Sequence, residues 1–407
     1  MAGVLNGMRV VEGSAFVAVP LAGMTMAQMG ADVIRFDRLG GGLDATRWPV
    51  AANGLSHFWA GMNKGKRSIA VDMQSDRGRE LVTQIITAPG EDAGMFLTNL
   101  KVRGWMDHET LSKHRKDLIM VALKGDRHGR PAVDYTVNPA LGFPAITGSV
   151  GSEEPVAHAL PAWDCIAGQM MVSALLAADR HRLRTGDGQD VEFSLKDVAA
   201  PMLGNLGIIG DTATGGAKRQ KSGNALYGAY GQDFICADGE RVMLIGLTRR
   251  QWQGIVKVTG TGAQMDQLAA RLGANFEDEG QRYIHRDAIT EVLKPWFAQR
   301  VRAEIGTLFD DNSLTCLCFA ILKRRLHMIL TYRSIILFLQ ILKRLALASF
   351  LCPAHLLISR NLKGKNLYPL PPLGCIRKRY WAMSWAYQML RSRNCLIQAL
   401  SKARITL

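Results

Sequence analysis

Met8-Arg9-Val10-Val11-Glu12 and Val33-Ile34-Arg35-Phe36-Asp37 are two short apolar runs that enclose a segment of small residues and methionines, Leu21–Met29. Runs rich in Val, Ile and Phe are typical of buried strands, and the segment between them is typical of a helix. Gly30-Ala31-Asp32 supplies the turn into the second strand. A strand–helix–strand unit of this kind predicts parallel strands joined by a right-handed crossover. The sequence therefore predicts an α/β fold that opens with a doubly wound sheet.

The rest of the chain divides into regions by pattern and composition. Further buried strands alternate with helices, which predicts a Rossmann-like parallel-sheet large domain over residues 1–211. Residues 212–221 are polar, glycine-rich and basic, as in a linker. After them, a hairpin around the turn Ala237–Glu240 and three helices predict a small α+β domain, so that linker and small domain together span residues 212–314. No G-x-G-x-x-G follows the first strand, so the opening unit does not indicate a dinucleotide.

The last quarter of the chain has a different composition. Residues 313–407 hold 16 of the 50 Lys and Arg and none of the 35 Asp and Glu, so the body is near neutral although the chain carries +15. An evolved soluble surface mixes both signs of charge. We therefore interpret residues 315–407 as a basic, frameshifted tail. A segment that lies on a membrane surface or binds nucleic acid, and an authentic C-terminal domain, are the alternatives.

Cysteine usage and hydropathy predict the compartment. Only Cys165 and Cys236 lie before the tail, which indicates a reducing cytosol and no disulfide framework. The amino terminus lacks the pattern of a signal peptide, and no uncharged apolar run approaches the ~20 residues of a membrane span. We expect a cytoplasmic protein with neither a membrane nor a nucleic acid as partner.

The strongest candidate for chemistry is Asp164, which follows Pro161 and Trp163 and precedes a long apolar run. This pattern predicts a helix that starts at Asp164, either as N-cap or in the first turn. A carboxylate beside free backbone N–H groups and the positive end of the helix dipole is expected to stay ionised. Such a group can attack an acyl carbon. Taken alone, however, an Asp in this place is usually an ordinary cap.

The segment after this helix changes that interpretation. Residues 184–195 read R-T-G-D-G-Q-D-V-E-F-S-L, a glycine turn followed by a strand. The combination of Asp164, a helix of small residues and this block resembles the family III CoA-transferases of the CaiB/BaiF type. The resemblance implies that Asp164 carries the acyl group and that two ring-shaped subunits interlock as a homodimer. It also implies coenzyme A as part of the substrate, with no tightly bound cofactor and no metal.

The same resemblance covers the loops in which the family binds coenzyme A. The opening segment and the block Asn63-Lys64-Gly65-Lys66-Arg67-Ser68 are similar to the family pattern, and cations beside a glycine suit a phosphate-rich ligand. A charged surface turn is the alternative for that block. The implied contacts to coenzyme A are Arg38, Lys66, Arg67, Asn99 and Arg103.

The segment around Asp134 bears on the reaction type. In the family's racemases a histidine stands just before the matching Asp, where this chain has Val133. Because a 1,1-proton transfer needs a titratable group on each face of the carbon, this substitution argues against a racemase. His158 and His181 lie outside the family's histidine position, and we interpret both as structural.

Three short strings narrow the resemblance further. Residues 10–20, 133–142 and 159–164 resemble the family members that move coenzyme A between the C1 and C4 carboxyls of mesaconate in the 3-hydroxypropionate cycle. The implied partner is the acyl-CoA thioester of a small dicarboxylic acid. The alternatives are intermolecular CoA transfer to another dicarboxylic acid, an inactive truncated product, and a protein that binds its partner through the basic tail.

Overall fold

The computed structural model describes residues 3–216 and 219–319. Of the predicted basic tail, residues 315–407, the structure describes only residues 315–319. The rest of the tail, and with it the frameshift interpretation, lies outside the described residues. Among the residues that are described, no helix is both long and apolar enough to cross a membrane.

Six parallel strands form the sheet of the large domain, in the order β3-β2-β1-β4-β5-β6. They are β1 (Arg9–Gly13), β2 (Asp32–Arg38), β3 (Arg67–Val71), β4 (Met95–Thr98), β5 (Ile119–Lys124) and β6 (Gln189–Ser194). The predicted doubly wound α/β fold is therefore confirmed. The strand order reverses between β1 and β4, and in sheets of this type ligands bind at the carboxyl ends of the strands at that switch point.

The helices of the large domain cover both faces of this sheet. They are α1 (Ala18–Gln28), α2 (His57–Met62), α3 (Asp76–Ile86), α4 (His108–Ser112), α5 (Asp134–Ala140), α6 (Phe143–Ile146), α7 (Ala162–Thr185), α8 (Leu195–Asn205) and α9 (Ile208–Ala213). Side chains alternate across each strand, so Val10 joins the core beneath α1 and α7 while Val11 joins the core beneath α3. Burial on both faces explains why β1, β4 and β5 read as largely apolar runs.

Helices α1 and α7 pack closely against each other, and this contact positions the site. A Cβ on Gly168 of α7 would lie 2.7 Å from the carbonyl oxygen of Ala18, the first residue of α1. Any side chain at position 168 would push the two helices apart. The sequence thus brings the start of α7 beside the start of α1, which directly follows β1.

Over residues 219–319, the small domain has an antiparallel sheet in the order β7-β8-β9 and five helices. Its elements are β7 (Tyr230–Ile235), β8 (Arg241–Gly246), α10 (Arg249–Thr259), α11 (Gly262–Leu272), α12 (Glu279–Ile284), α13 (Arg286–Ala298), α14 (Arg302–Asp311) and β9 (Thr315–Cys318). Phe234 stacks on Phe297 in its core, with ring centroids 4.1 Å apart. The predicted hairpin is present. A third strand, β9, pairs with β8 just after the predicted domain boundary at 314, and its Cys316 packs into the same core.

Candidate active site

Asp164 lies in the first turn of α7, two residues after Ala162, so the predicted helix start is present. Residues four apart lie on the same face of a helix, and Gly168 packs against Ala18. Asp164 therefore lies on the face of α7 that meets the start of α1, at the carboxyl edge of the sheet.

Asp134, at the start of α5, caps α7 from a distance in the sequence. Its Oδ2 accepts hydrogen bonds from the backbone N–H of Trp163 at 2.8 Å and of Asp164 at 3.3 Å. Its side chain is 1% exposed. The N–H groups that were expected to stabilise Asp164 are therefore held by a second carboxylate. This role of Asp134 could not be predicted from a local pattern, because the contact joins two segments that lie about 30 residues apart in the chain.

The environment of Asp164 makes its carboxylate unusually basic. Burial, together with the neighbouring Asp134 carboxylate, raises the pKa of the Asp164 carboxyl from 3.8 to about 6, and burial is the larger cause. At pH 7 the group is still mainly ionised, but it is poorly solvated. A titratable group perturbed by burial and by a specific charged neighbour is typical of a functional site, and a desolvated carboxylate is a better nucleophile.

Two other groups adjoin this carboxylate pair. Burial raises the pKa of the Cys165 thiol, with Asp164 and Asp134 adding to the effect, so this thiol stays protonated. His158 Nε2 lies 2.8 Å from Asp134 Oδ1. The histidine that was interpreted as structural thus contacts the carboxylate that caps the helix of Asp164. His158 lies in the segment between α6 and α7, and no sequence pattern in this segment predicts the contact.

Lys66 is buried, although it was expected to contact coenzyme A. Its side chain is 1% exposed, and its ammonium lies 2.8 and 2.7 Å from the two carboxylate oxygens of Glu12. It also donates to Pro20 O at 2.9 Å and Asn63 Oδ1 at 2.8 Å. Burial lowers the pKa of Lys66 and raises that of Glu12, because desolvation disfavours both charges. In this structure the ammonium binds protein oxygens.

Arg67 lies at the opposite edge of the sheet from Asp164. It is the first residue of β3 and makes a two-pronged ion pair with Asp32, the first residue of β2, at 2.7 and 2.6 Å. Its side chain is 62% exposed. Parallel strands begin at the same edge, so Arg67 is not brought together with the groups at the carboxyl edge.

The other three predicted contacts lie at the carboxyl edge. Arg38 ends β2 and is exposed, with its Nε donating to Gly41 O at 3.1 Å. Arg103 is exposed in the loop after β4. Asn99 directly follows β4, and its amide accepts from Ala15 N at 3.0 Å and donates to Ala15 O at 2.9 Å. The Asn99 side chain therefore joins the two loops at the switch point.

A buried ion cluster lies behind this edge and is centred on Arg35, whose side chain is fully buried. Arg35 donates from Nε and Nη2 to both oxygens of Asp37 at 2.8 and 2.9 Å, and from Nη2 to Asp44 Oδ1 at 3.2 Å. It also donates to the Ser14 carbonyl at 3.0 Å and lies 3.5 Å from Glu12. We call this set the Arg35 cluster. It ties the end of β1 to β2 and to the loop that contains Asp44.

Comparison with known proteins identifies the family of the chain. The sequence model of CoA-transferase family III matches residues 5–323. The chain is 54% identical over 316 residues to a 2-methylfumaryl-CoA isomerase of Chloroflexus aurantiacus, which is 77% of either protein. It is 27% identical over 316 residues to a succinyl-CoA:mesaconate CoA-transferase of Haloarcula hispanica, covering 73% of this chain and 75% of that protein.

A solved structure shows the same fold. A CaiB/BaiF family protein from Brucella suis superposes with a TM-score of 0.65 at 24% identity, covering 80% of this chain and 86% of that one. The family match runs past the boundary at 314 that the sequence predicted, in keeping with strand β9. The switch-point sheet, the carboxylate at the start of α7 and the match over residues 5–323 lead to one conclusion: the chain is an enzyme that belongs to CoA-transferase family III.

Proposed function

We propose that this enzyme moves coenzyme A between the C1 and C4 carboxyls of mesaconate, and so isomerises 2-methylfumaryl-CoA, through a covalent intermediate on Asp164. The observation that supports this choice of substrate is the 54% identity to the Chloroflexus aurantiacus isomerase. The raised pKa of Asp164 and its place beside the switch point support the choice of nucleophile.

In the first half of the proposed reaction, the Asp164 carboxylate attacks the C1 thioester carbonyl. The carbon–sulfur bond breaks, coenzyme A leaves as a thiolate, and a mixed anhydride joins Asp164 to the acid. The thiolate then attacks the Asp164 carbonyl of this anhydride. That step releases the C1 carboxylate and leaves an aspartyl-CoA thioester.

In the second half, the C4 carboxylate of the retained acid attacks the aspartyl thioester and again displaces the thiolate. The thiolate attacks the C4 carbonyl of the second anhydride, which frees Asp164 and yields the C4 thioester. No water is consumed and no electrons are transferred. Retention of the acid keeps its second carboxylate at a high effective concentration, which favours this group over an acceptor from solution.

A second candidate is intermolecular transfer, as the name of the Haloarcula hispanica relative describes for that protein. The two reactions are separated by incubating the chain with the C1 thioester in the presence of isotopically labelled free mesaconate. Intramolecular transfer gives an unlabelled C4 thioester, whereas intermolecular transfer incorporates the label. Turnover of neither kind would overturn both and support the inactive product.

The nucleophile is tested separately from the substrate. Hydroxylamine added during turnover should convert the activated Asp164 to a hydroxamate, which peptide mass spectrometry locates. Asp164→Asn should lose activity by several orders of magnitude, while Asp187→Asn, in the exposed turn after α7, serves as the matched control. Near-normal turnover by Asp164→Asn would refute the covalent role.

The remaining expectations belong to the same proposal. Coenzyme A would enter only with the substrate, without a tightly bound cofactor or a metal, and the enzyme would work as a cytoplasmic homodimer in the 3-hydroxypropionate cycle. Light scattering tests the dimer. Elemental analysis and mass spectrometry of the purified protein test for bound groups.

A further inference from the structure

The loop between β1 and α1 contains a strained residue at the switch point. Phe16 has a φ of +68°, in the left-handed region, although it is neither glycine nor asparagine. Its side chain is 39% exposed. A bulky residue in this region is an outlier that persists only when its surroundings hold it there, and such residues concentrate at functional sites.

A buried side chain, Asp44, accepts from the N–H of Phe16 itself. Asp44 Oδ2 accepts a hydrogen bond from the Phe16 N–H at 3.0 Å, while Oδ1 of the same carboxylate accepts from Arg35 Nη2 at 3.2 Å. The Asp44 side chain is fully buried. The Arg35 cluster thus contacts the Phe16 N–H through the carboxylate of Asp44, in addition to the direct hydrogen bond from Arg35 to the Ser14 carbonyl.

We propose that Asp44 is a positioning residue for the acyl-CoA substrate, because it holds Phe16 in the left-handed conformation and so sets the path by which β1 leads into α1. The inference rests on the proposed function in one respect, namely that an acyl-CoA binds at this switch point. The start of α1 packs against Gly168, one turn from Asp164 on the same face. The course of the loop around Phe16 therefore determines where the first turn of α1 lies relative to Asp164.

The alternative is that Asp44 only neutralises Arg35. Glycine at position 16 separates the two roles, because glycine adopts a positive φ without strain and needs no carboxylate to hold it there. If Asp44 acts through Phe16, the effect of Asp44→Ala on ligand affinity depends on the residue at position 16. If it acts only through Arg35, the effect is the same in both backgrounds.

The test is a double-mutant cycle on the full chain, with calorimetric affinity for free coenzyme A as the readout. Asp44→Ala should weaken binding at least about fivefold when residue 16 is Phe, the factor that corresponds to the strain of one residue in this region. It should weaken binding less than about twofold in a Phe16→Gly background. Asp37→Ala is the matched control, because Asp37 also pairs with Arg35 but makes no contact with Phe16 among the described residues. Its effect should be equal in both backgrounds.

An equal loss from Asp44→Ala in the two backgrounds would overturn the inference, as would rescue of Asp37→Ala by Phe16→Gly. If Asp44→Ala does not fold, Asp44→Asn carries the same comparison. The Asn side chain has a single oxygen, so when it accepts from Arg35 or from the Phe16 N–H, it presents its NH₂ group to the other donor. Failure of isomerisation with coenzyme A binding intact would overturn the proposed function alone. A wild-type chain that binds no coenzyme A would overturn both.

Discussion

Replacing Asp164 by Asn should stabilise the protein, and the gain should grow with pH. The folded state raises the pKa of this carboxyl from 3.8 to about 6, so it holds the proton more tightly than the unfolded chain does. The wild-type protein therefore loses stability as the pH rises from about 4 through 6, and the loss levels off above about pH 7. Asn does not titrate and avoids that loss.

The magnitude follows from the shift. A pKa rise of about 2 corresponds to roughly 3 kcal/mol in the free energy of unfolding, at about 1.4 kcal/mol for each pH unit. Asp164 is only partly buried, and solvent screening reduces this figure to roughly 1–2 kcal/mol. At pH 4, where the folded state is protonated and the unfolded chain is about half ionised, the gain should fall below about 0.5 kcal/mol.

Urea denaturation of both proteins at pH 4 and pH 8 measures this difference. Asp187→Asn is the control, because it removes the same charge from an exposed turn just beyond the same helix. A gain from Asp164→Asn that is equal at the two pH values, or a loss at pH 8, would refute the reasoning. Either result would mean that Asp164 is not held at the expense of stability, as residues that serve function often are.

Three further predictions concern activity, stability and ligand binding. The apparent kcat/KM should rise about tenfold from pH 5 to pH 8 as Asp164 ionises. Asp134→Asn should move the inflection of this pH profile below about 6, because it removes a like charge beside Asp164. A flat pH profile would contradict the prediction. Lys66→Met should lower the free energy of unfolding by about 3–5 kcal/mol, because it leaves Glu12 buried and without its cation. Arg67→Met should lower it by less than about 1 kcal/mol in the same urea experiment, because the Arg67–Asp32 pair is exposed. Arg103→Met should weaken coenzyme A binding more at low salt than at high salt, and Arg67→Met should not.

The local patterns foretold the elements but not the direction in which each side chain points. Val10 and Val33 were recognisable as buried strand residues because apolar periodicity reflects burial directly. Lys66 and Arg67 are adjacent in the sequence and were assigned one role, yet one packs on Glu12 and the other on Asp32 at the amino edge. Successive side chains near a strand point to opposite faces, and only the partners across the sheet decide which ligand each cation meets.

The helix start at Asp164 was predicted correctly, whereas the side chains that contact this helix start were not predicted. Asp164 follows from a local signal, a helix start before a small-residue run. The cap from Asp134 and the contact of His158 with it depend on how two loops fold together, which no local pattern records. The frameshift interpretation of the tail stays a prediction, and resequencing the coding DNA around codons 310–320 tests it.

The amide of Asn99 has a consequence for engineering. It hydrogen-bonds to both the N–H and the carbonyl of Ala15. This side chain therefore connects the loop after β1 to the loop after β4, although more than eighty positions separate the two residues in the chain. An attempt to change the acyl specificity by grafting only one of these loops from a relative would separate the Asn99 amide from the backbone that it fits. The two loops form one transferable unit, and chimeras should exchange residues 13–17 and 98–103 together.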